Sequence, residues 1–274
     1  MRHKLLAGLA AGFIATVGIA APAQAISPST ADLYILHAVP DLTVDVWVDG
    51  EILKADFEPG TLTDPFDLPN GDYEVAITAA GAPLADAAIG PITLTLAANT
   101  SYTAVAHLDA DGNPTATLFT NDLSTIAAGQ GRLTVRHTAA APAVDILANG
   151  AAALTNLTNS KETKADLPAG TISAAVAATG TTDPVIGPAD VTIQEGVNTI
   201  VYAWGSLEDK NLQLAVQTIG GLHSNPNGVQ SGTAGLAADL NPVVLSLSIA
   251  ALVALLAAVS VATLRVRTSR QSNR

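Results

Sequence analysis

A histidine and an aspartate recur at matching positions in the two halves of this chain, and both residue types are suited to proton transfer. Asp45 follows His37, and Asp145 follows His137 at the same spacing. A carboxylate that contacts an imidazole orients a general base. A hairpin centred on Asp41 would place His37 opposite Asp45, and the same arithmetic places His137 opposite Asp145 in the second copy. Strand alternation opposes this arrangement, because it directs the histidine to the core and Asp45 outward. We therefore favour structural roles for all four side chains, since no nucleophilic serine or cysteine motif accompanies them.

Trp47 is a second candidate for chemistry, because it stands between Asp45 and Asp49 on a strand of alternating valines. An exposed aromatic ring flanked by carboxylates can stack on a sugar ring or bind a cation. Packing against a neighbouring strand, or at a contact between domains, is the simpler interpretation. These three residues are the predicted positions of any ligand contact, and packing is the favoured role of the tryptophan.

Acidic residues also occur in segment 109–113, whose sequence is Asp-Ala-Asp-Gly-Asn. A calcium-binding EF-hand loop requires a different spacing and a glutamate at its twelfth position, and this segment has neither. His107 and His223 are isolated and the chain has no cysteine, so a zinc site is not expected. The sequence therefore predicts no metal and no other cofactor, and it favours a solvated hairpin tip at 109–113.

The distribution of charge narrows the choice of partners. The chain has 24 acidic and 12 basic residues, but six basic residues lie near the two ends, so residues 26–241 carry a net charge of −18. Such a surface argues against a nucleic acid partner, because phosphate binding requires clustered Lys and Arg. Residues 26–130 hold 15 acidic residues and one basic residue, against nine and five in residues 131–240. We expect any binding to occur in the first of these halves, with the second as a spacer.

Both ends of the chain carry targeting patterns. Arg2 and Lys4 precede an apolar run that ends in small residues, which predicts a secretory signal peptide over 1–25. Residues 243–264 are uncharged and apolar, and a helix of this length would measure about 33 Å and span a bilayer. Four arginines in residues 265–274 form a basic tail that the positive-inside rule places in the cytoplasm. We expect a single-pass cell-membrane protein with its N-terminal region extracellular.

One sequence unit occurs twice between residues 26 and 218, with an offset of about 100 residues. The matches include Val44-Asp45-Val46 with Val144-Asp145-Ile146, Gly90-Pro91 with Gly187-Pro188, and Tyr102 with Tyr202. Their number and order predict two tandem domains, 26–125 and 126–218. Residues 219–242 are rich in Gly, Ser and Asn without periodicity, and they predict a flexible stalk.

Each unit has the pattern of a β-rich domain. Apolar residues alternate with polar ones in short runs, and Asp49-Gly50 and Asn149-Gly150 predict type I′ hairpin turns. About seven strands per unit, without an amphipathic helix between residues 30 and 220, match the strand count of an immunoglobulin domain. The sequence therefore predicts an all-β protein with two tandem immunoglobulin-like β-sandwich domains and one C-terminal transmembrane helix.

The opening of each unit resembles the bacterial "domain of unknown function 4397" family. The residues that carry the resemblance are His37, Pro40-Asp41, Val44-Asp45-Val46-Trp47 and Leu68-Pro69, with His137, Val144-Asp145-Ile146 and Leu167-Pro168 in the second copy. The second copy lacks the Pro-Asp step and has Leu147 in place of the aromatic residue. The resemblance implies an exported, β-rich protein without an established reaction.

These observations favour a non-enzymatic cell-surface protein that displays two β-sandwich domains in a structural or adhesive role. The alternative is an extracytoplasmic module that binds a glycan, a cell-wall component or a cation. A hydrolase ranks third, because no group of residues supplies a nucleophile, a base and an orienting partner together. The expected partners are the membrane, through the C-terminal helix, and a surface glycan or protein.

Overall fold

The computed structural model describes residues 28–224, which belong to one compact unit. These residues form sixteen β-strands and one short 3-10 turn, Leu84–Asp86. The predicted all-β class is therefore confirmed for this part of the chain. Eight strands belong to each repeat, and each set of eight builds two four-stranded sheets.

The first repeat is a sandwich of two sheets. One sheet has the strand order β4-β1-β7-β8 and the other has the order β3-β2-β5-β6. β1 pairs in parallel with β7, whereas the other neighbouring strands pair antiparallel. The strands are β1 (Thr30–Ala38), β2 (Val44–Val48), β3 (Glu51–Phe57), β4 (Phe66–Pro69), β5 (Gly71–Ala79), β6 (Ile89–Leu96), β7 (Thr100–Leu108) and β8 (Pro114–Thr120).

The second repeat has the same arrangement. Its sheets have the orders β12-β9-β15-β16 and β11-β10-β13-β14, and β9 pairs in parallel with β15. Apolar side chains between the two sheets of each repeat form its core. The strands are β9 (Gln130–Ala140), β10 (Val144–Ala148), β11 (Ala151–Leu157), β12 (Lys161–Pro168), β13 (Gly170–Ala178), β14 (Pro184–Ile193), β15 (Asn198–Ser206) and β16 (Gln213–Ile219).

The two sandwiches pack against each other through the sheets that contain β1 and β9. A third apolar cluster joins Leu36, Val105 and Phe119 of the first repeat to Tyr202 and Trp204 of the second. All residues of β15, and all of β9 except its two ends, are buried. Such strands have one face in their own sandwich and the other against the first repeat. The four sheets therefore form one continuous stack of layers.

The predicted immunoglobulin-like topology is wrong. An immunoglobulin constant domain has seven strands in sheets of order A-B-E-D and C-F-G. Here each repeat has eight strands, its first strand lies between the fourth and the seventh, and its second lies between the third and the fifth. The sequence pattern did not predict the strand order, because pairing between strands that are distant in sequence leaves no local signal.

Both predicted type I′ hairpin turns are present. Asp49 and Gly50 have φ angles of 50° and 83° and join β2 to β3. Asn149 and Gly150 have φ angles of 51° and 81° and join β10 to β11. A type I′ turn needs positive φ at both central residues, which Asn, Asp and Gly adopt most readily. Local turn chemistry thus sets the position of the second strand in each repeat.

The predicted match of Tyr102 with Tyr202 is wrong. Leu33 pairs with Tyr102, whereas the equivalent Leu133 pairs with Thr199, so Tyr102 corresponds to Thr199. The match is displaced by three residues, and a displacement by an odd number of residues moves a side chain to the opposite face of the strand. Tyr102 accordingly lies in the core of the first sandwich, while Tyr202 lies between the two sandwiches.

The predicted signal peptide at 1–25, transmembrane helix at 243–264 and basic tail at 265–274 lie outside the described residues. Between residues 28 and 224, no helix is long and apolar enough to cross a membrane. The start of the predicted stalk lies inside this range and packs on the second sandwich. Leu222 donates its N–H to the carbonyl of Gly196 at 2.9 Å, and His223 forms a bridge with Ile126.

Candidate functional site

His37 and Asp45 are both buried, so the predicted outward orientation of Asp45 is wrong. Asp45 accepts hydrogen bonds from the backbone N–H groups of Asp56 (2.9 Å) and Gly81 (2.8 Å). His37 donates from Nε2 to the carbonyl of Leu42 at 2.6 Å, and burial lowers the pKa of this histidine. The pairing of β2 with β3 is bulged around Asp45, and a bulge breaks the strand alternation on which the prediction depended.

The second repeat reproduces these contacts. Asp145 accepts hydrogen bonds from the N–H groups of Gly180 (2.9 Å) and Asn156 (2.8 Å), which lower its pKa. His137 donates from Nε2 to the carbonyl of Pro142 at 3.0 Å. Within residues 28–224, no hydrogen bond or ion pair joins the histidine to the aspartate in either repeat. Each side chain therefore holds nearby loop backbone and does not form a general-base pair.

The structure does not bring Trp47, Asp45 and Asp49 together as one ligand-binding surface. Trp47 is partly buried and donates from Nε1 to the hydroxyl of Thr78 on the neighbouring strand, at 3.0 Å. Asp49 accepts a hydrogen bond from the N–H of Glu74 at 2.9 Å, next to its hairpin turn. Since Asp45 is buried and bonded to backbone N–H groups, the ring of Trp47 does not have a free carboxylate on each side.

Segment 109–113 forms the exposed turn between β7 and β8. The carboxylate of Asp109 accepts hydrogen bonds from the N–H groups of Asn113 (2.8 Å) and Asp111 (2.9 Å), which lower its pKa. These bonds close the turn. Among residues 28–224, no three acidic or histidine side chains are grouped as a metal ion requires.

Arg136 is fully buried at the contact between the two sandwiches. It donates from Nε to Glu162 (2.8 Å), from Nη1 to the hydroxyl of Tyr202 (2.7 Å) and from Nη2 to Asn121 (3.1 Å). Its guanidinium carbon lies 4.5 Å from the centroid of the Phe119 ring in the first repeat. A buried charge is tolerated only with such partners, because an unpaired one is strongly destabilising.

Hydrogen bonds continue from this arginine into the first repeat. Tyr202 donates to Oε1 of Gln217 at 2.6 Å, and Thr103 of β7 donates to the same oxygen at 3.0 Å. Burial raises the pKa of Tyr202, so its hydroxyl stays protonated as a donor. Nearby, a Cβ atom added to Gly60 would come within 3.0 Å of the Trp204 ring. The contact between the repeats is therefore polar at its centre and closely packed around it.

The connection between the repeats, residues 121–129, is tied down by charged side chains of the second sandwich. Asp122 forms ion pairs with Arg132 (3.0 Å) and with Lys164. Arg132 also makes two hydrogen bonds to the carboxylate of Asp166, at 2.8 and 3.0 Å. Burial alone would raise the pKa of Asp122, but hydrogen bonds from Lys164 and Ser124 and the charge of Arg132 hold it well below its usual value. Because these contacts hold the connection against the second sandwich, it does not serve as a hinge between the repeats.

The sequence prediction missed this contact between the repeats. In the first repeat Leu36 forms a bridge with Leu62, and at the equivalent place in the second repeat Arg136 pairs with Glu162. An apolar pair in one copy is thus replaced by an oppositely charged pair in the other. Such a replacement on neighbouring strands is the signal that could have revealed the buried contact.

The described residues define a two-repeat β-sandwich protein whose repeats share a buried interface. Residues 31–147 match the family model described as "Domain of unknown function (DUF4397)". The match spans almost all of the first repeat and reaches β10 of the second, and it supports the resemblance that the motifs carry. No curated protein matches the chain significantly.

Proposed function

We propose that this chain is a non-enzymatic surface protein that displays its two sandwiches outside the cytoplasm as one stiff body. The observation that supports this role is the buried network around Arg136, which ties both sandwiches and their connection together. Opening that contact would uncover a charged group and an apolar cluster at once. A body without an internal hinge suits a structural or adhesive element that has to project from a surface.

The proposed anchor is the apolar segment 243–264, with the signal peptide at 1–25 directing export. An epitope inserted in the exposed turn at Asp111-Gly112 and a second one at the C-terminus test this topology on intact cells. We expect external protease to remove the first epitope and to leave the second. Protection of the turn epitope, or its presence in the cytoplasmic fraction, would overturn the display role.

A binding module is the second candidate, and an open groove of about 580 Å³ on the first repeat supports it. Its volume lies within the range of about 300–1,000 Å³ that is usual for ligand sites. Pull-down of the full-length chain with cell-wall and glycan preparations, with and without calcium, tests the glycan and cation versions of this candidate. Saturable binding that depends on the first repeat would favour it over display alone.

A further inference from the structure

The groove lies at the open edge of the first sandwich, between β3 and the segment that leads into β4. β3 and β4 are each the last strand of their sheet among the described residues, so both edges are unpaired on this side. The groove lining consists of Leu53, Lys54, Asp56 and Phe57 along β3, and of Glu58 and residues 61–66 along the other wall. An extended chain can therefore lie along the groove beside exposed backbone.

A local difference between the two repeats creates the groove. In the first repeat three residues separate Leu62 from Phe66, both of which pair with β1. In the second repeat only two residues separate the equivalent Glu162 and Ala165, and β12 runs without interruption. Pro65 belongs to the longer segment and cannot donate a backbone hydrogen bond, so regular pairing stops there. The segment that forms this wall of the groove thus differs from its counterpart in the second repeat.

The charge of the groove is also specific to the first repeat. Asp56 and Glu58 line it, whereas their counterparts in the second repeat are the neutral Asn156 and Thr158. Asp56 and Asn156 both have positive φ, 49° and 57°, which confirms their equivalence. Asp64 adds a third carboxylate, and Lys54 is the single basic residue in the groove lining. The groove therefore attracts cations and repels acidic polymers.

Partly buried apolar side chains lie beside these carboxylates in the groove lining, and they also pack on the apolar clusters below. Leu53, Leu62 and Phe66 are partly buried and line the groove, with the buried Phe57 beneath them. Lys and Arg side chains lay their apolar stems along such surfaces while their charged heads reach carboxylates. Because apolar walls and carboxylates alternate within reach of an unpaired strand edge, an extended peptide fits better than a compact cation.

We propose that this groove binds a linear basic peptide segment in which Arg or Lys alternates with apolar residues. The charged heads contact Asp56, Glu58 and Asp64, and the apolar side chains contact Phe66 and its neighbours. The inference concerns the first repeat in solution and does not depend on the display role. It also locates in this groove the binding that we expect in the more acidic repeat.

Fluorescence anisotropy with the full-length chain tests this site, with a labelled octapeptide that alternates Leu and Arg as the probe. The groove variant is Asp56→Asn, Glu58→Thr, Asp64→Asn, which introduces the second repeat's residues at the first two positions. The matched control is Glu74→Gln, Asp86→Asn, Asp111→Asn, which removes the same charge from exposed positions elsewhere. We expect the groove variant to weaken binding roughly tenfold and the control less than twofold, since exposed ion pairs contribute modestly and additively.

Three further probes complete the test. A peptide alternating Gly and Arg should bind several-fold more weakly if apolar contacts contribute, and one alternating Leu and Glu should not bind. Spermine should compete only weakly with the Leu-Arg peptide. Equal loss of binding in the groove and control variants, or equal affinity for spermine and the peptide, would overturn the proposal in favour of non-specific attraction of cations.

Discussion

The guanidinium carbon of Arg136 in the second repeat lies 4.5 Å from the centroid of the Phe119 ring in the first. Arg136 is fully buried there, and it also pairs with Glu162. A cation over an aromatic face gains about 2 kcal/mol or more when the pair is desolvated. Separation of the repeats would forfeit that contact and expose the surrounding apolar cluster, so the two sandwiches are expected to unfold as one.

Replacement of Arg136 by leucine, the residue at the equivalent position of the first repeat, tests the energetic weight of this contact. Loss of one partner leaves Glu162, Tyr202 and Asn121 without their shared donor. We expect the free energy of unfolding to fall by about 1–3 kcal/mol, because the buried acceptors Tyr202 and Asn121 lose a donor while the side chain of Glu162, 30% exposed, stays partly hydrated. Urea denaturation of the full-length chain measures the change.

The double variant Arg136→Leu, Glu162→Leu reproduces the apolar pair of the first repeat. It should recover a small part of the lost stability, because the carboxylate of Glu162, 30% exposed, is then no longer left without its partner at the edge of the contact. Lys164→Ala serves as the control, since its exposed ion pair with Asp122 should contribute less than about 1 kcal/mol. A double variant no more stable than Arg136→Leu alone would show that the unpaired Glu162 is not the cause of the loss.

Gly60 provides a second test of the packing between the repeats. It has a φ of 75°, and an added Cβ atom would approach the Trp204 ring to 3.0 Å. Gly50 has a similar φ of 83° but no atom within 4 Å of the added Cβ. Gly50→Ala should therefore lower stability by about 1–2 kcal/mol through backbone strain alone, and Gly60→Ala should lower it further. Equal losses, with unchanged Trp204 fluorescence, would contradict the close contact.

Three buried histidines predict how stability changes with pH. Burial lowers the pKa of His37, His107 and His137 in the folded chain, and the nearby His137 lowers that of His107 further while Asp109 opposes this. Below a pH of about 6.5 the unfolded chain therefore binds more protons than the folded chain. Stability is complete above that pH and decreases as the pH falls toward the lowered folded pKa values.

The measurement is the urea midpoint between pH 7.5 and pH 4.5. The carboxylates with lowered pKa, Asp109, Asp122 and Asp145, affect stability only below about pH 4. His107→Gln keeps a polar side chain that cannot titrate, and it should reduce the pH slope because one of the three groups with a lowered pKa is gone. An unchanged slope would exclude His107 from the acid sensitivity.

Asp45 is predicted to be structural and not to take part in catalysis. Asp45→Ala removes the acceptor of two backbone hydrogen bonds, from Asp56 and Gly81. We expect a loss of about 1–3 kcal/mol in the free energy of unfolding, because the buried carboxylate holds the loop backbone through both of these hydrogen bonds. Asp111→Ala, at an exposed turn, should change stability by less than about 0.5 kcal/mol. A loss at Asp45 as small as at Asp111 would contradict the role assigned here.

Local patterns predicted the elements of this fold well. The hairpin turns at Asp49-Gly50 and Asn149-Gly150 depend on two residues each, and the all-β class depends on alternation within single strands. The topology depends instead on which distant strands pair, such as β1 with β7. The orientation of Asp45 depended on a bulge that alternation does not record.

The contact between the repeats was missed for a different reason. Arg136 reads in sequence as an exposed strand residue, and only its register against Glu162 and its neighbour Phe119 shows that it is buried. Tyr102 was matched with Tyr202 because the two residues are identical. That match assigned the side chains of one strand to the wrong face. With that register corrected, the two copies can be compared position by position. The comparison separates residues that both repeats need for folding from residues that only one repeat has.

Hydrogen exchange of the full-length chain during a urea titration tests the central claim most directly. The segments to compare are 71–79 and 170–178, which are β5 and β13 in the two outermost sheets of the stack. We predict that both lose protection at the same urea concentration, as expected for one cooperative body. Loss of protection in one repeat while the other stays protected would show two independent domains and contradict the account.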